Sequence, residues 1–462
     1  MDILIKDLMR TNAKSRGFLL TLFLLMLGTT TKAQVGHVLQ GVGGVNMSMG
    51  GAATAQPLDI NGALLWNPAS LSKFDGQILS FNAGLFFSDP SISSTVPTQN
   101  GPFSGTTGDD RGVSVLPALA YVWGKDESKH TFGISAFGVS GFGVTFPESQ
   151  DNPITMPQSS GGFGHIESDY ALLQLSLAYS YQLTDKISLG IQPNFNYATL
   201  EIGPNPLAAP SQTLGYPNSD KATAFGIGAQ IGLFYDSGSG LKIGASYKSK
   251  QIFNDFSFNN TYLDGSEAPG VDFNMDYPAI YSVGLGYSMG DFDYALDYRF
   301  IDYENTDGFK KSGWQLAESG DFSGFPTGAV QGFGWQSISV VSTGLQYKGI
   351  QNLPLRIGYT YSENPIRDEF VFMSSPATAV IKNAFQFGFS YKLNPRFSLD
   401  VAYHHGTSSG STSGPLLNPT PDSAGGPWNA DTNPKGAIPG SEVAYDMTTD
   451  LVVVGFSYIL GR

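Results

Sequence analysis

The sequence contains no cysteine among its 462 residues, which excludes a disulfide scaffold and any thiolate metal site. Charge is scarce as well, at 14% of residues. Acidic residues (39) outnumber basic ones (25), and the net charge of −14 leaves no basic stripe for a nucleic-acid partner. No apolar run long enough for a spanning helix follows residue 33. What the chain does have is 57 glycines and 13% aromatic residues, a composition suited to strands that face lipid and to aromatic girdles at the membrane interfaces.

Residues 1–33 read as an export signal. Lys6, Arg10, Lys14 and Arg16 form a basic start, Gly17–Leu27 is the apolar stretch, and Thr31-Lys32-Ala33 offers a cleavage site before Gln34. The apolar stretch is too short for a comfortable helical span. The signal holds five positive and two negative charges, so the remainder carries −17.

From Gln77 to Arg462 the chain alternates in polarity over fourteen strand-like segments. Their connections alternate in length. Tight turns are expected at Gly124–Lys129, Leu183–Lys186, Asp236–Gly240, Met289–Asp291, Gly349–Pro354 and Leu393–Arg396. Long polar loops are expected at Ser88–Arg111, Thr145–Ser168, Glu201–Lys221, Phe258–Val271, Tyr303–Gly334, Glu363–Lys382 and Thr407–Ala444. Turns at one end and loops at the other predict an all-β fold, a 14-stranded antiparallel transmembrane β-barrel in a Gram-negative outer membrane. In Ser188–Tyr197, for example, Leu189, Ile191, Phe195 and Tyr197 oppose Ser188, Gly190, Gln192, Asn194 and Asn196. A soluble β-sandwich would show the same alternation, but it gives no reason for long loops at one end only.

Residues 34–76 lack this alternation and are rich in small residues, as in Gly41-Val42-Gly43-Gly44 and Gly50-Gly51-Ala52-Ala53. A barrel of fourteen strands is too wide for its own side chains to fill. The segment is therefore expected to plug the lumen as a hatch, leaving 77–462 as the barrel. Asn67-Pro68-Ala69, followed by Leu71, Phe74-Asp75 and the first strand, resembles the hatch of the FadL/TodX family of outer-membrane hydrophobic-compound transporters. Pro278-Ala279-Ile280-Tyr281, Leu355-Arg356-Ile357-Gly358, Glu363-Asn364-Pro365 and Tyr403-His404-His405-Gly406 extend the resemblance over nearly the whole chain after the signal.

The resemblance implies passive uptake of small hydrophobic molecules such as long-chain fatty acids or aromatic hydrocarbons. It implies lumenal binding near the hatch (Asn67, Pro68, Ala69) and lateral release into the bilayer at a kink in strand three. Phe137-Gly138-Val139-Ser140-Gly141-Phe142-Gly143 is the candidate kink. Phe132, Ile134 and Ala136 lie on one face, but further on Phe137 and Val139 exchange faces with Gly138 and Ser140 amid the glycines, as at a bulge. The same residues could also form an unbroken Gly-rich strand packed against the hatch. One departure from the family is the short fifth-to-sixth loop, Glu201–Lys221. Its Pro204, Pro206, Pro210 and Pro217 disfavour a helix, which puts an outer capture groove in doubt.

With the aliphatic rows on lipid, Lys248, Asp297, Arg299, Arg356, Asp400 and His404 face inward. They would hold a carboxylate head or gate the hatch, or else form an ion network that anchors the hatch to the wall. Gly286-Tyr287-Ser288-Met289-Gly290 and Gly406-Thr407-Ser408-Ser409-Gly410 match Gly-x-Ser-x-Gly, but neither opens a helix as a nucleophile elbow requires. No enzyme is expected, although an outer-membrane lipase using Ser408 is one alternative and a barrel scaffold without transport is another. Gly41–Gly44 is expected to lack a following helix, so no dinucleotide or other cofactor is implied, and no metal cluster is visible. The expected partners are a hydrophobic small molecule and outer-membrane lipid. The chain is expected to be a monomer, with protein partners reached through the long loops.

Overall fold

The computed structural model describes residues 36–124 and 128–461. The expected export signal and part of the first tight turn (125–127) lie outside the described residues.

Fourteen strands form the wall: β1 Gly76–Thr98, β2 Val113–Gly124, β3 His130–Phe146, β4 Ile166–Gln182, β5 Ile187–Gly203, β6 Ala222–Asp236, β7 Leu241–Lys248, β8 Ala279–Met289, β9 Phe292–Asp302, β10 Ile338–Tyr347, β11 Leu355–Ser362, β12 Asn383–Asn394, β13 Phe397–Thr407 and β14 Glu442–Gly461. Each pairs antiparallel with its sequence neighbours, and β14 pairs back onto β1 from Gln77↔Gly461 to Thr95↔Glu442, closing the cylinder. Closure leaves no sheet edge, which a membrane-embedded sheet requires.

The two faces separate by polarity. On β1, Phe81, Leu85 and Phe87 are exposed outward while Ser80 and Asn82 are buried; on β5, Leu189, Ile191 and Phe195 are exposed while Gln192, Asn194 and Asn196 are buried. Greasy residues outside and amides inside are the reverse of a soluble protein, and lipid is the solvent that makes the arrangement stable.

Several of the expected loops contain strand, and two of them depart most from the expected bounds. The chain does not turn off at Ser88: β1 continues to Thr98, and Gly101–Gly108 folds back on Ser91–Thr98 as a hairpin. Period-two alternation persists through Ile92, Ser94 and Val96, so no change of pattern marks where the membrane ends. The fourth loop is longer than Phe258–Val271, because β7 ends at Lys248. After it the register shifts by one residue, from Lys248↔Gln230 to Ile252↔Ile227, and Phe256–Thr261 and Glu267–Phe273 then form a hairpin of their own. The fifth-to-sixth loop carries no helix among the described residues, as its prolines imply.

The segment from Gly36 to Asp75 fills the lumen. It contains two short helices, α1 Gly44–Ser48 and α2 Ile60–Trp66, and a 3-10 turn Pro68–Lys73. A helix thus does follow Gly41–Gly44, but it has five residues, all buried. Asp59 caps α2 by accepting the N–H of Gly62 at 3.1 Å, and Asn67 caps the 3-10 turn by accepting the N–H of Ala69 at 3.1 Å. Ile60, Leu64, Leu65 and Trp66 are buried and continue into an apolar cluster that includes Phe309, Phe333 and Trp335 from the long loops.

Candidate functional site

The ladder between β2 and β3 runs from Gly124↔Thr131 to Ala118↔Phe137 and stops. The next residue of β2 is Pro117, which has no N–H to donate. Across from it β3 is bulged, its register with β4 shifting between Gly138 and Ser140 around Val139. Above this point Val113–Pro117 pair with β1 alone.

The start of the hatch takes up the free edge of β3. Leu39 N–H donates to Val139 O at 3.0 Å, and Gly141 N–H donates to His37 O at 3.2 Å. Ser140 Oγ donates to the same His37 carbonyl at 2.9 Å. At the outer end Asp110 N–H donates to Thr145 O at 2.8 Å, and Asp109 accepts the N–H of Thr145. The wall therefore has a window bounded by Pro117 below and the Asp109–Arg111 turn above.

Behind the window lies a cavity of about 370 Å³. Val38, Leu39 and Met47 of the hatch, Phe86, Leu116 and Leu451 of the wall, and Gly141, Phe142, Gly143 and Tyr170 at the bulged edge line it. The lining reaches Val115, which is 62% exposed on the outer face of the barrel. Phe142 stacks on Tyr170 with centroids 5.0 Å apart.

His37 also lines the cavity. Its ring lies against Phe142, Tyr170, Tyr277, Tyr303, Phe309 and Trp335, with centroid distances from 4.8 to 6.4 Å. Its Nδ1 is 2.9 Å from the Tyr303 hydroxyl. Burial among these rings pushes the imidazole pKa down to about 3, so His37 is neutral at physiological pH.

Of the candidate kink residues, Gly141, Phe142 and Gly143 line the cavity, Phe137 is buried below it, and Gly138 borders a void of about 20 Å³ beside Pro117. Asn67, Pro68 and Ala69 are elsewhere, docked on β5 and β6. Asn67 Nδ2 donates to Thr54 O at 2.8 Å and to Leu233 O at 3.1 Å. A Cβ on Gly190 would come within 2.2 Å of the backbone nitrogen of Ala69, so this wall position requires glycine against the turn, and one on Gly232 would come within 2.0 Å of Asn67 Oδ1 and displace that side chain.

The inward charges form two clusters, and His404 stands apart from both. Asp297 Oδ2 accepts the N–H groups of Ala53 and Thr54 at 2.9 Å each, the Thr54 hydroxyl at 2.8 Å and Arg299 Nη2 at 2.6 Å. Arg299 also donates to Gly51 O at 2.7 Å and lies 3.7 Å from the Trp66 ring centroid, while Lys248 donates to Gln174 Oε1 at 3.2 Å. In the second cluster Arg356 donates to Ser390 Oγ at 2.8 Å, and Ser390 donates in turn to Asp400. His404 alone of the six lines the cavity, with its Nδ1 3.1 Å from Gln386 Nε2. Ser408 Oγ accepts the N–H of Met447 at 3.1 Å, and His405 turns away from it to Asp450 at 2.9 Å.

Sequence reasoning missed His37, Arg111, Pro117 and Asp169. Only Pro117, a proline inside an otherwise regular strand, carried a signal.

A closed cylinder with a lipid-facing exterior, a self-supplied stopper and an apolar cavity behind a break in strand pairing defines a class, the outer-membrane transport barrels for hydrophobic compounds. The sequence model of the outer membrane protein transport protein family (OMPP1/FadL/TodX) matches residues 28–447, and the chain belongs to that family. No curated protein sequence matches the chain. Among solved structures it is similar to the P. putida toluene transporter TodX, with 18% identity, 92% of this chain and 100% of that one covered and a TM-score of 0.66. A Pseudomonas aeruginosa FadL homologue gives 13% identity, 92% and 100% coverage and a TM-score of 0.67. The Ralstonia pickettii toluene transporter TbuX gives 19%, 91% and 99%, and 0.60. At these identities the likeness shows the fold. Membership of the family makes this chain an outer-membrane transporter of hydrophobic compounds.

Proposed function

We propose that the protein takes up small hydrophobic molecules passively, within the range from long-chain fatty acids to aromatic hydrocarbons, by binding them in the 370 Å³ cavity and releasing them sideways between β2 and β3. The observation that carries this reading is that one apolar space touches both the hatch, at Leu39 and Met47, and the outer face of the wall, at Val115. A cavity of about 150 Å³ already holds benzene, so the volume suffices for an aromatic ring or a bent aliphatic chain. Leaving water contributes about 0.8 kcal/mol per buried methylene, which drives entry without energy coupling.

Deleting Val139 tests the route. Removing the extra residue restores the β3–β4 register and lets β3 run on beside β2. Uptake of a radiolabelled hydrocarbon into proteoliposomes is expected to fall toward that of empty vesicles while the barrel still assembles. Undiminished uptake through the assembled variant would mean that ligand leaves elsewhere. No uptake by the unaltered protein would favour a binding or scaffold barrel.

A further inference from the structure

Arg111 is the only lysine or arginine on the cavity lining, and Asp169 the only carboxylate, among the described residues. They pair with each other: Arg111 Nη2 donates to Asp169 Oδ1, and Nη1 donates to Ser168 O at 2.6 Å. The second oxygen of Asp169 accepts Lys221 Nζ at 2.6 Å, and Lys221 also reaches Glu201 at 3.3 Å. Asp109 stands beside Arg111 and accepts its backbone N–H at 3.3 Å. The network around the Arg111–Asp169 pair thus sets two cations against three carboxylates, of which Arg111 and Asp169 line the cavity.

The histidines do not alter this balance. His404 is buried, with its Nδ1 3.1 Å from the Gln386 side-chain amide rather than at the Arg111–Asp169 pair. His37 is neutral in its aromatic cage. A ligand carboxylate entering here would shed its water, find the one guanidinium already engaged, and meet a net negative network. An uncharged ligand of the same length meets none of these obstacles.

We infer that Asp169 determines specificity: by engaging Arg111 it reserves the cavity for uncharged hydrophobic ligands (hydrocarbons and esters) over free carboxylates. This rests on the transport reading above and narrows it.

The test is protein-dependent uptake of methyl decanoate and of decanoate at pH 7 into proteoliposomes carrying the full barrel. The unaltered protein should favour the ester by roughly tenfold. Asp169→Asn frees the guanidinium and should narrow the ratio to about threefold or less. The double variant Asp169→Asn/Arg111→Gln, which removes the freed cation, should widen it again, a reversal that a merely structural role for Asp169 would not produce. If Asp169→Asn fails to assemble, Ser114→Lys, which adds an unpaired cation to the lining, must narrow the ratio instead. Equal uptake of ester and acid above empty vesicles, or an unchanged ratio in the assembled variants, overturns the inference and leaves transport standing. Uptake of neither compound removes the transport reading and this inference together.

Discussion

At the residue scale, what holds the stopper is a handful of buried polar side chains that bond its backbone. Asp297 gathers two backbone N–H groups, a hydroxyl and a guanidinium onto one carboxylate oxygen, and both it and Arg299 are buried. A buried ion pair of this kind is poor evidence for net stability, but breaking it from one side costs about 3–5 kcal/mol because the other charge is stranded. Asp297→Ala is therefore expected to loosen the Gly51–Thr54 segment and destabilise hatch docking by about that amount. Ion conductance across planar bilayers reads this directly, and a variant as tight as the unaltered protein would show that the carboxylate is dispensable. The inward direction of all six candidate charges was legible in the sequence, because each sits opposite an aliphatic row. Their division into a cluster bonded to the hatch, a cluster bonded within the wall and a cavity histidine was not, because it depends on which of them the hatch backbone meets once it is threaded inside.

Elements were read better than their junctions. Period-two alternation and alternating connection lengths yield the fourteen strands, and the absence of alternation marks the hatch. The β1 hairpin escaped because strands that outrun the membrane keep the same periodicity in water. The bulge in β3 was visible as a face switch over Phe137–Gly143. Its companions were not, since His37 meets Ser140 and Tyr303 only once the cylinder closes and the chain's start is threaded inside it. That strap makes a prediction at its own scale. Tyr303→Phe leaves His37 Nδ1 without its hydroxyl partner in a buried site, a loss of about 1–3 kcal/mol. Hydrogen exchange of the backbone amides from Leu39 to Gly41 and at Gly141 should speed up while the β1–β14 ladder stays protected. Exchange unchanged at both would mean that ring packing alone pins the strap.

For the whole molecule, wall and stopper are separable in a way that a soluble domain and its core are not. The wall is hydrogen-bonded through β1 to β14 without using any residue of the hatch, apart from the free edge of β3 at the window. Its lipid face is complete on its own, since the exposed aliphatic and aromatic rows need only the bilayer. With the lumen flooded, Arg299 exchanges the Gly51 carbonyl and the Trp66 ring for water, so its charge is not stranded in a dry site. Deleting residues 36–73 should therefore leave a barrel that still assembles and migrates as a folded species on unheated gels, while converting a closed transporter into a steady, unselective pore. The expected readouts are a large stepwise conductance and sensitivity of cells to bulky hydrophilic antibiotics. Loss of assembly would show instead that the wall closes around the hatch as a template, and would transfer to that segment the role here given to strand pairing.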